Sequence, residues 1–262
     1  MTGKRFMPVP GDAVTVRPLE DGDAVVERIE PRVFSLERRT RGRAKTMAAN
    51  VDTIAIVTSL THPPPRLPTL DQLLAFCELQ AVDGIAIFTK PDLSGADVAQ
   101  RVAHVYDALG YPTIVANPKA GDNVDGLRAL LAGRRALLAG NSGVGKSTIF
   151  RALGGDAVVG DVSRHGIGRQ TTSVARLYRL PDGFLIDSPG IGEFGLGAVE
   201  PGELAHAFRE MREPSLRCRF ADCSHRSEPD CAVRAAVESG AIAASRYDSY
   251  VRIAEGALLQ GR

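Results

Sequence analysis

Gly140-Asn141-Ser142-Gly143-Val144-Gly145-Lys146-Ser147-Thr148 follows the apolar run ALLA and precedes a helical stretch. The spacing is G-x-x-x-x-G-K-[ST] between a strand and a helix, the arrangement of a loop that cradles phosphates. Its glycines let successive N–H groups turn toward phosphate oxygens, and the helix N-terminus adds favourable dipole charge. Lys146 is placed to reach the terminal phosphates, and Ser147 offers a hydroxyl to Mg²⁺, a hard cation that takes oxygen ligands. An ordinary glycine-rich turn would not bring this context with it.

A second strand, Phe184-Leu185-Ile186-Asp187, ends in D-x-P-G. Asp187 is expected to hold Mg²⁺ through water, while the Gly190 N–H contacts the γ-phosphate and senses its presence. Between the two motifs lies Gly168-Arg169-Gln170-Thr171-Thr172, where a threonine hydroxyl, with Thr172 the candidate, completes the Mg²⁺ shell only while triphosphate is bound. Threonine pairs are common, so position alone gives this assignment its weight. The stretch from Gly190 to Gly195 also matches G-x-G-x-x-G, but it overlaps D-x-P-G, and no βαβ unit with an acidic strand end follows. A dinucleotide site is not expected.

Thr89-Lys90-Pro91-Asp92 closes another apolar run and is similar to the guanine-reading N-K-x-D. A carboxylate accepts hydrogen bonds from guanine N1–H and the exocyclic amine together, whereas adenine presents an acceptor there, so Asp92 favours guanine. The Lys90 stem can pack on the base plane. Thr89 stands where Asn is usual, so its support to the neighbouring loop is expected to be weaker. A partner loop is expected near Val115-Ala116-Asn117. The base reader, last in the usual order, here precedes the phosphate loop, the threonines and D-x-P-G, the mark of a circular permutation. D-x-P-G then leads directly into the C-terminal segment, so switch motion can be transmitted there.

Cys218-x4-Cys223-x-His225-x5-Cys231 offers three sulfurs and one imidazole at short spacing, the donor set of a closed tetrahedral Zn²⁺ site. With four protein ligands no position remains for water, so the site reads as structural, stabilising a unit too small to bury a sufficient core alone. The alternative is free thiols beside a surface histidine. Without a secretion signal, such clustering favours metal over disulfides. Cys77, on an apolar helix face, reads as core.

These residues need elements to hold them. Residues 1–48 alternate β-like stretches (AVTV, AVVERIE, VFSLE) with the turns PGD and EDGD, a small β unit short for a closed barrel. From about residue 49 to 200, apolar runs alternate with helical stretches, which implies parallel strands with crossover helices and ligands beyond the strands' carboxyl ends. Thr69 and Gln72 fit a capping box and place a helix start there. PPPRLP, at 63–68, reads as a stiff loop with no functional role. Residues 201–262 are helical around the cysteine cluster.

The composition, 44% hydrophobic and 24% charged, is that of a globular chain, and no apolar run approaches a membrane span. With no secretory signal at its start either, a cytoplasmic location follows. Net charge is +1, too small to argue for nucleic acid from the total. Residues 38–45 (RRTRGRAK), however, carry five cations and no acid, either a solvated loop or a phosphate-contacting surface.

The β unit, the permuted nucleotide motifs and the Cys-Cys-His-Cys knot together resemble the bacterial ribosome small-subunit-dependent GTPase A family. The segments RGRAK...AANVD, TKPDL, GNSGVGKST, GRQTTS, LIDSPGIGEFGL and CRFADCSHRSEPDCAV carry the resemblance across nearly the whole chain. It implies an oligonucleotide-binding-type (OB-like) barrel, a central α/β P-loop domain and a helical zinc unit. It also implies GTP hydrolysis stimulated by the small ribosomal subunit, and a role in that subunit's late maturation. Under this resemblance the cation run gains weight as an rRNA-phosphate surface, and the protein is expected to act as a monomer.

Two departures stand out. The N-terminus is short, so the barrel is expected to lack its first strand and bind RNA less well. Gln170 stands where the family commonly has His; since Ile191 is hydrophobic where Ras-like enzymes place a water-orienting Gln, Gln170 is the candidate to orient water. Lys146, Gln170 and Thr172 are thus the expected catalytic residues. Two other functions fit the motifs: a non-catalytic scaffold whose RNA binding GTP gates, and a permuted GTPase acting on the large subunit.

Overall fold

Strands that leave one face to solvent can pair locally, and those described between residues 14 and 49 do so. A computed structural model describes residues 8–40, 43–94, 96–154, 176–180, 183–187 and 199–256. In it β1 (Val14–Pro18) and β2 (Ala24–Ile29) form one antiparallel pair, and β3 (Ser35–Thr40) and β4 (Arg43–Ala49) another. Among the described residues no ladder joins the two pairs. Asn50 pins the hairpins together: its Nδ2 donates to the Gly11 carbonyl at 2.9 Å, and its Oδ1 accepts from Val33 N–H at 2.9 Å.

The cation run does not form a loop throughout. The backbone of residues 38–40 and 43–45 lies in the β3–β4 ladder, with Arg38 opposite Lys45 and Thr40 opposite Arg43. The sequence reading missed β4, because strand alternation is hard to see through consecutive cations. The expected boundary after residue 48 falls at the end of that strand.

The apolar runs that follow become β5 (Thr53–Ser59), α1 (Leu67–Gln80), β6 (Asp83–Thr89), α2 (Pro91–Ser94), α3 (Ala96–Ala108), β7 (Thr113–Ala116), α4 (Val124–Leu131), β8 (Arg135–Ala139) and α5 (Lys146–Ala152). Then come β9 (Arg176–Leu180) and β10 (Gly183–Asp187). The six-stranded sheet has the order β7-β6-β5-β8-β10-β9 and is parallel except for β9.

Alternate side chains serve opposite faces, as the two-residue strand period requires. Ile54 and Ile56 pack with Leu70, Leu73 and Leu74 of α1 and Tyr106 of α3. Ala55 and Val57 pack with Leu127 and Leu131 of α4 and with Ile149 of α5. Covered on both sides, β5 is buried at every position.

The helix after the proline-rich loop starts earlier than the capping-box reading placed it. α1 begins at Leu67, no side chain caps it, and Pro68 lies in the first turn. Proline suits that turn because its ring presets φ and its missing N–H has no intrahelical partner to lose. The helix stops at Ala81, which adopts a left-handed conformation (φ 52°) and returns its N–H toward the Cys77 and Glu78 carbonyls.

Beyond residue 200 lie α6 (Pro201–His206), a 3-10 turn at Arg209–Met211, α7 (Arg212–Ser215), α8 (Ala232–Glu238) and α9 (Ala244–Ala254). Their core of Leu204, Phe208, Met211, Val233 and Tyr250 also packs on Ala75 of α1. Three acids face this unit's arginines. Arg246, 1% exposed, meets Asp71 at 2.6 Å and Glu210 at 2.7 Å, and Tyr106 donates to Asp71 at 2.9 Å. Glu78 takes Arg209 at 2.7 Å and Arg212 at 2.6 Å. Among the described residues no helix is long and apolar enough to cross a membrane.

Candidate nucleotide site and metal centre

The phosphate loop leaves the carboxyl end of β8, between β5 and β10. Gly140 there has φ 135°, and a Cβ would come within 2.2 Å of the Val57 carbonyl oxygen, so any side chain would force β5 and β8 apart. Gly143 (φ 78°) and Gly145 (φ 107°) occupy backbone conformations that L side chains rarely adopt. Lys146 Nζ donates to the carbonyls of Gly140 at 2.7 Å and Asn141 at 2.8 Å. Burial pulls its ammonium below the ordinary lysine range, and the charge of Asp187 pushes it back up. An anion delivered here meets a cation short of solvation, which strengthens their attraction.

Asp187 ends β10 and pairs in register with Leu138 of β8, beside the start of the phosphate loop. Asp187 and the Ser147 hydroxyl are the oxygen groups expected from sequence to face Mg²⁺. Gln170, Thr172 and Gly190 lie outside the described residues, as does the rest of the expected switch.

The base reader and the phosphate loop, far apart in sequence, are tied together. Thr89, 2% exposed, donates through Oγ1 to the Val144 carbonyl at 2.6 Å. The support expected to weaken without Asn is therefore made by a hydroxyl. Lys90, at φ 59°, donates to the Gly143 carbonyl at 2.8 Å and to the His62 carbonyl. His62 immediately precedes the proline-rich stretch 63–68, and its carbonyl helps to hold Lys90. No sequence signal marks a backbone carbonyl for that role. Asp92 is exposed, and its Oδ1 accepts from Asn117 Nδ2 at 2.9 Å, which brings residues 115–117 beside the expected reader.

The four knot residues converge, their ligand atoms all within 4.8 Å of one another. Cys218 Sγ lies 3.9 Å from Cys231 Sγ, and both lie 3.5 Å from His225 Nδ1. Zn–S bonds of about 2.3 Å at tetrahedral angles set sulfurs about 3.8 Å apart, so the cluster fits Zn²⁺. His225 Nε2 faces Ser215 Oγ at 3.1 Å, and Ser215 Oγ also lies 2.7 Å from the Met211 carbonyl, to which it donates. With the hydroxyl proton so committed, Nε2 carries the hydrogen and Nδ1 turns its lone pair to the thiols. Burial lowers the imidazole's pKa, which favours the neutral form that ligates. None of the four cysteines forms a disulfide.

A T-K-x-D segment ahead of the phosphate loop, both at the carboxyl ends of parallel strands in one sheet, is the arrangement of a circularly permuted P-loop GTPase. The family model described as RsgA GTPase matches residues 29–197. The chain belongs to the RsgA GTPase family. It is 40% identical over 247 residues to the small ribosomal subunit biogenesis GTPase RsgA of Moorella thermoacetica, covering 93% of this chain and 82% of that one. The protein of the same name from Haemophilus influenzae (strain 86-028NP) is 39% identical over 259 residues, covering 94% and 75%. Among solved structures, YjeQ from Thermotoga maritima superposes with a TM-score of 0.73 at 30% identity, covering 99% of this chain and 87% of that one. YloQ, described as a circularly permuted GTPase, gives 0.72 at 27% identity, covering 100% and 85%.

Proposed function

We propose that this chain binds and hydrolyses GTP on the small ribosomal subunit and assists that subunit's late maturation, as a cytoplasmic monomer. The observation that carries the reading is the double tie of Thr89 to Val144 and Lys90 to Gly143, which makes a guanine reader and a phosphate cradle one surface. The family and the names of its relatives support the ribosomal setting.

In this reading Asp92 selects the base, Thr89 and Lys90 hold the reader, and residues from Gly140 to Thr148 enclose the phosphates. Lys146 neutralises charge that develops on the transferred phosphoryl group. Ser147, Asp187 and Thr172 would hold Mg²⁺, which when bound adds further charge neutralisation. Gly190 senses the γ-phosphate, and Gln170 orients water. Cys218, Cys223, His225 and Cys231 hold a structural Zn²⁺. The chain divides at about residues 48 and 200 into an OB-like unit, the GTPase domain and the zinc unit, and the cations of 38–45 meet rRNA phosphates.

GTP hydrolysis, measured alone and with purified small or large subunits and with ATP as control, tests this. Stimulation confined to small subunits is the expected result. GTP binding without stimulation would leave a scaffold, and stimulation by large subunits would move the partner.

A further inference from the structure

An exposed carboxylate rotates freely, yet a guanine reader must hold both oxygens in the plane of the base edge. Asp92 lies at the start of a short helix with its side chain exposed. Its restraint comes from Asn117, whose Nδ2 reaches Asp92 Oδ1 at 2.9 Å. A carboxylate only accepts, so the amide nitrogen must be the group that faces it. The amide orients the carboxylate without cancelling its charge, as a lysine or arginine there would do.

Backbone bonds hold Asn117 in turn. Its N–H donates to the Asp122 carbonyl at 3.2 Å, and its carbonyl accepts from the N–H groups of Asp122 at 3.1 Å and Ala120 at 3.0 Å. Asn123 Nδ2 anchors the base of this turn on the Val115 carbonyl at 2.9 Å. The Asn117 side chain is therefore not needed to close the turn that presents it.

We propose that Asn117 is a second determinant of base specificity, a positioning residue that locks the Asp92 carboxylate so that both its oxygens meet guanine. The inference rests on the reading of Asp92 as the base selector. It predicts that Asn117 matters for the exocyclic amine more than for the rest of the nucleotide.

The test titrates the full chain with GDP, with IDP, which lacks the 2-amine, and with XDP, which carries oxygen at C2. Asn117→Ala is expected to cut the preference for GDP over IDP about tenfold, the size of one charge-assisted hydrogen bond, with little change for IDP. Equal losses for GDP and IDP would mean that the turn is only a prop, and would overturn the proposal. Asp92→Asn tests the underlying reading separately. It should transfer preference from GDP to XDP, because Asn117 Nδ2 must then bond the new amide's oxygen and turn its NH2 toward the xanthine oxygen. Adding Asn117→Ala should abolish that transfer. If Asp92→Asn keeps its preference for GDP, the base reader lies elsewhere and both readings fail. If it switches while Asn117→Ala preserves the ratio of GDP to IDP, Asp92 stands and the role of Asn117 falls.

Discussion

The two ends of the molecule answer one problem in opposite ways. Neither the N-terminal hairpins nor the C-terminal helices can bury enough apolar surface alone. The helical end gathers thiols and an imidazole, encloses Phe208, Met211 and Tyr250, and seats Arg246 between Asp71 and Glu210. The β1–β2 hairpin is exposed along nearly its whole length, Val16 to 47% and Val25 to 42%, with ion pairs such as Arg17–Glu27 in open solvent. Only its neighbour β3–β4 reaches the main core, through Leu36 and Ala48. Ligands and buried charge thus consolidate one end, while the other stays thin and accessible.

The largest effect should come from the knot. Cys231→Ala, or chelation, is expected to remove on the order of 10 kcal/mol of metal-linked folding energy. Hydrogen exchange should then accelerate across α7 to α9 while β5 and β6 keep their protection; retained protection in the helices would break the contrast.

Next in size is Arg246→Ala, which strands Asp71 and Glu210 in the interior and should cost about 3–5 kcal/mol in denaturant unfolding. Arg32→Ala comes third. It removes the partner of Asp12, whose side chain is 1% exposed and 2.6 Å away, and should cost about 1–3 kcal/mol, read as local fraying of the N-terminal hairpins. Arg17→Ala should change stability by less than about 1 kcal/mol, since both side chains of its pair are near half exposed or more. A thermal shift there as large as that of Arg246→Ala would erase the distinction between the two ends.

The parts legible in sequence were those whose chemistry is local. Gly140 to Ser147, the knot from Cys218 to Cys231, and the D-x-P-G strand each announce themselves within a few residues. Arg246 does not: it is one arginine in an ordinary helix, and its partner Asp71 lies 175 residues away. The same distance problem hid the grip of Thr89 on Val144, 55 residues apart. Two local signals misled as well. Thr69 and Gln72 spelled a cap that Pro68 made unnecessary, and the cations of 38–45 disguised a strand pair.

The strand order also bears on how the chain is born. β5 and β6 are made in succession with only α1 between them, but β8, which must lie against the other edge of β5, is translated only after α4. At about 5–20 residues per second, that bare edge waits for several seconds. During this interval the nascent chain holds a half-built sheet, with the T-K-x-D strand end in place but without the phosphate loop, and its central, fully buried strand is open along one edge to any passing β edge.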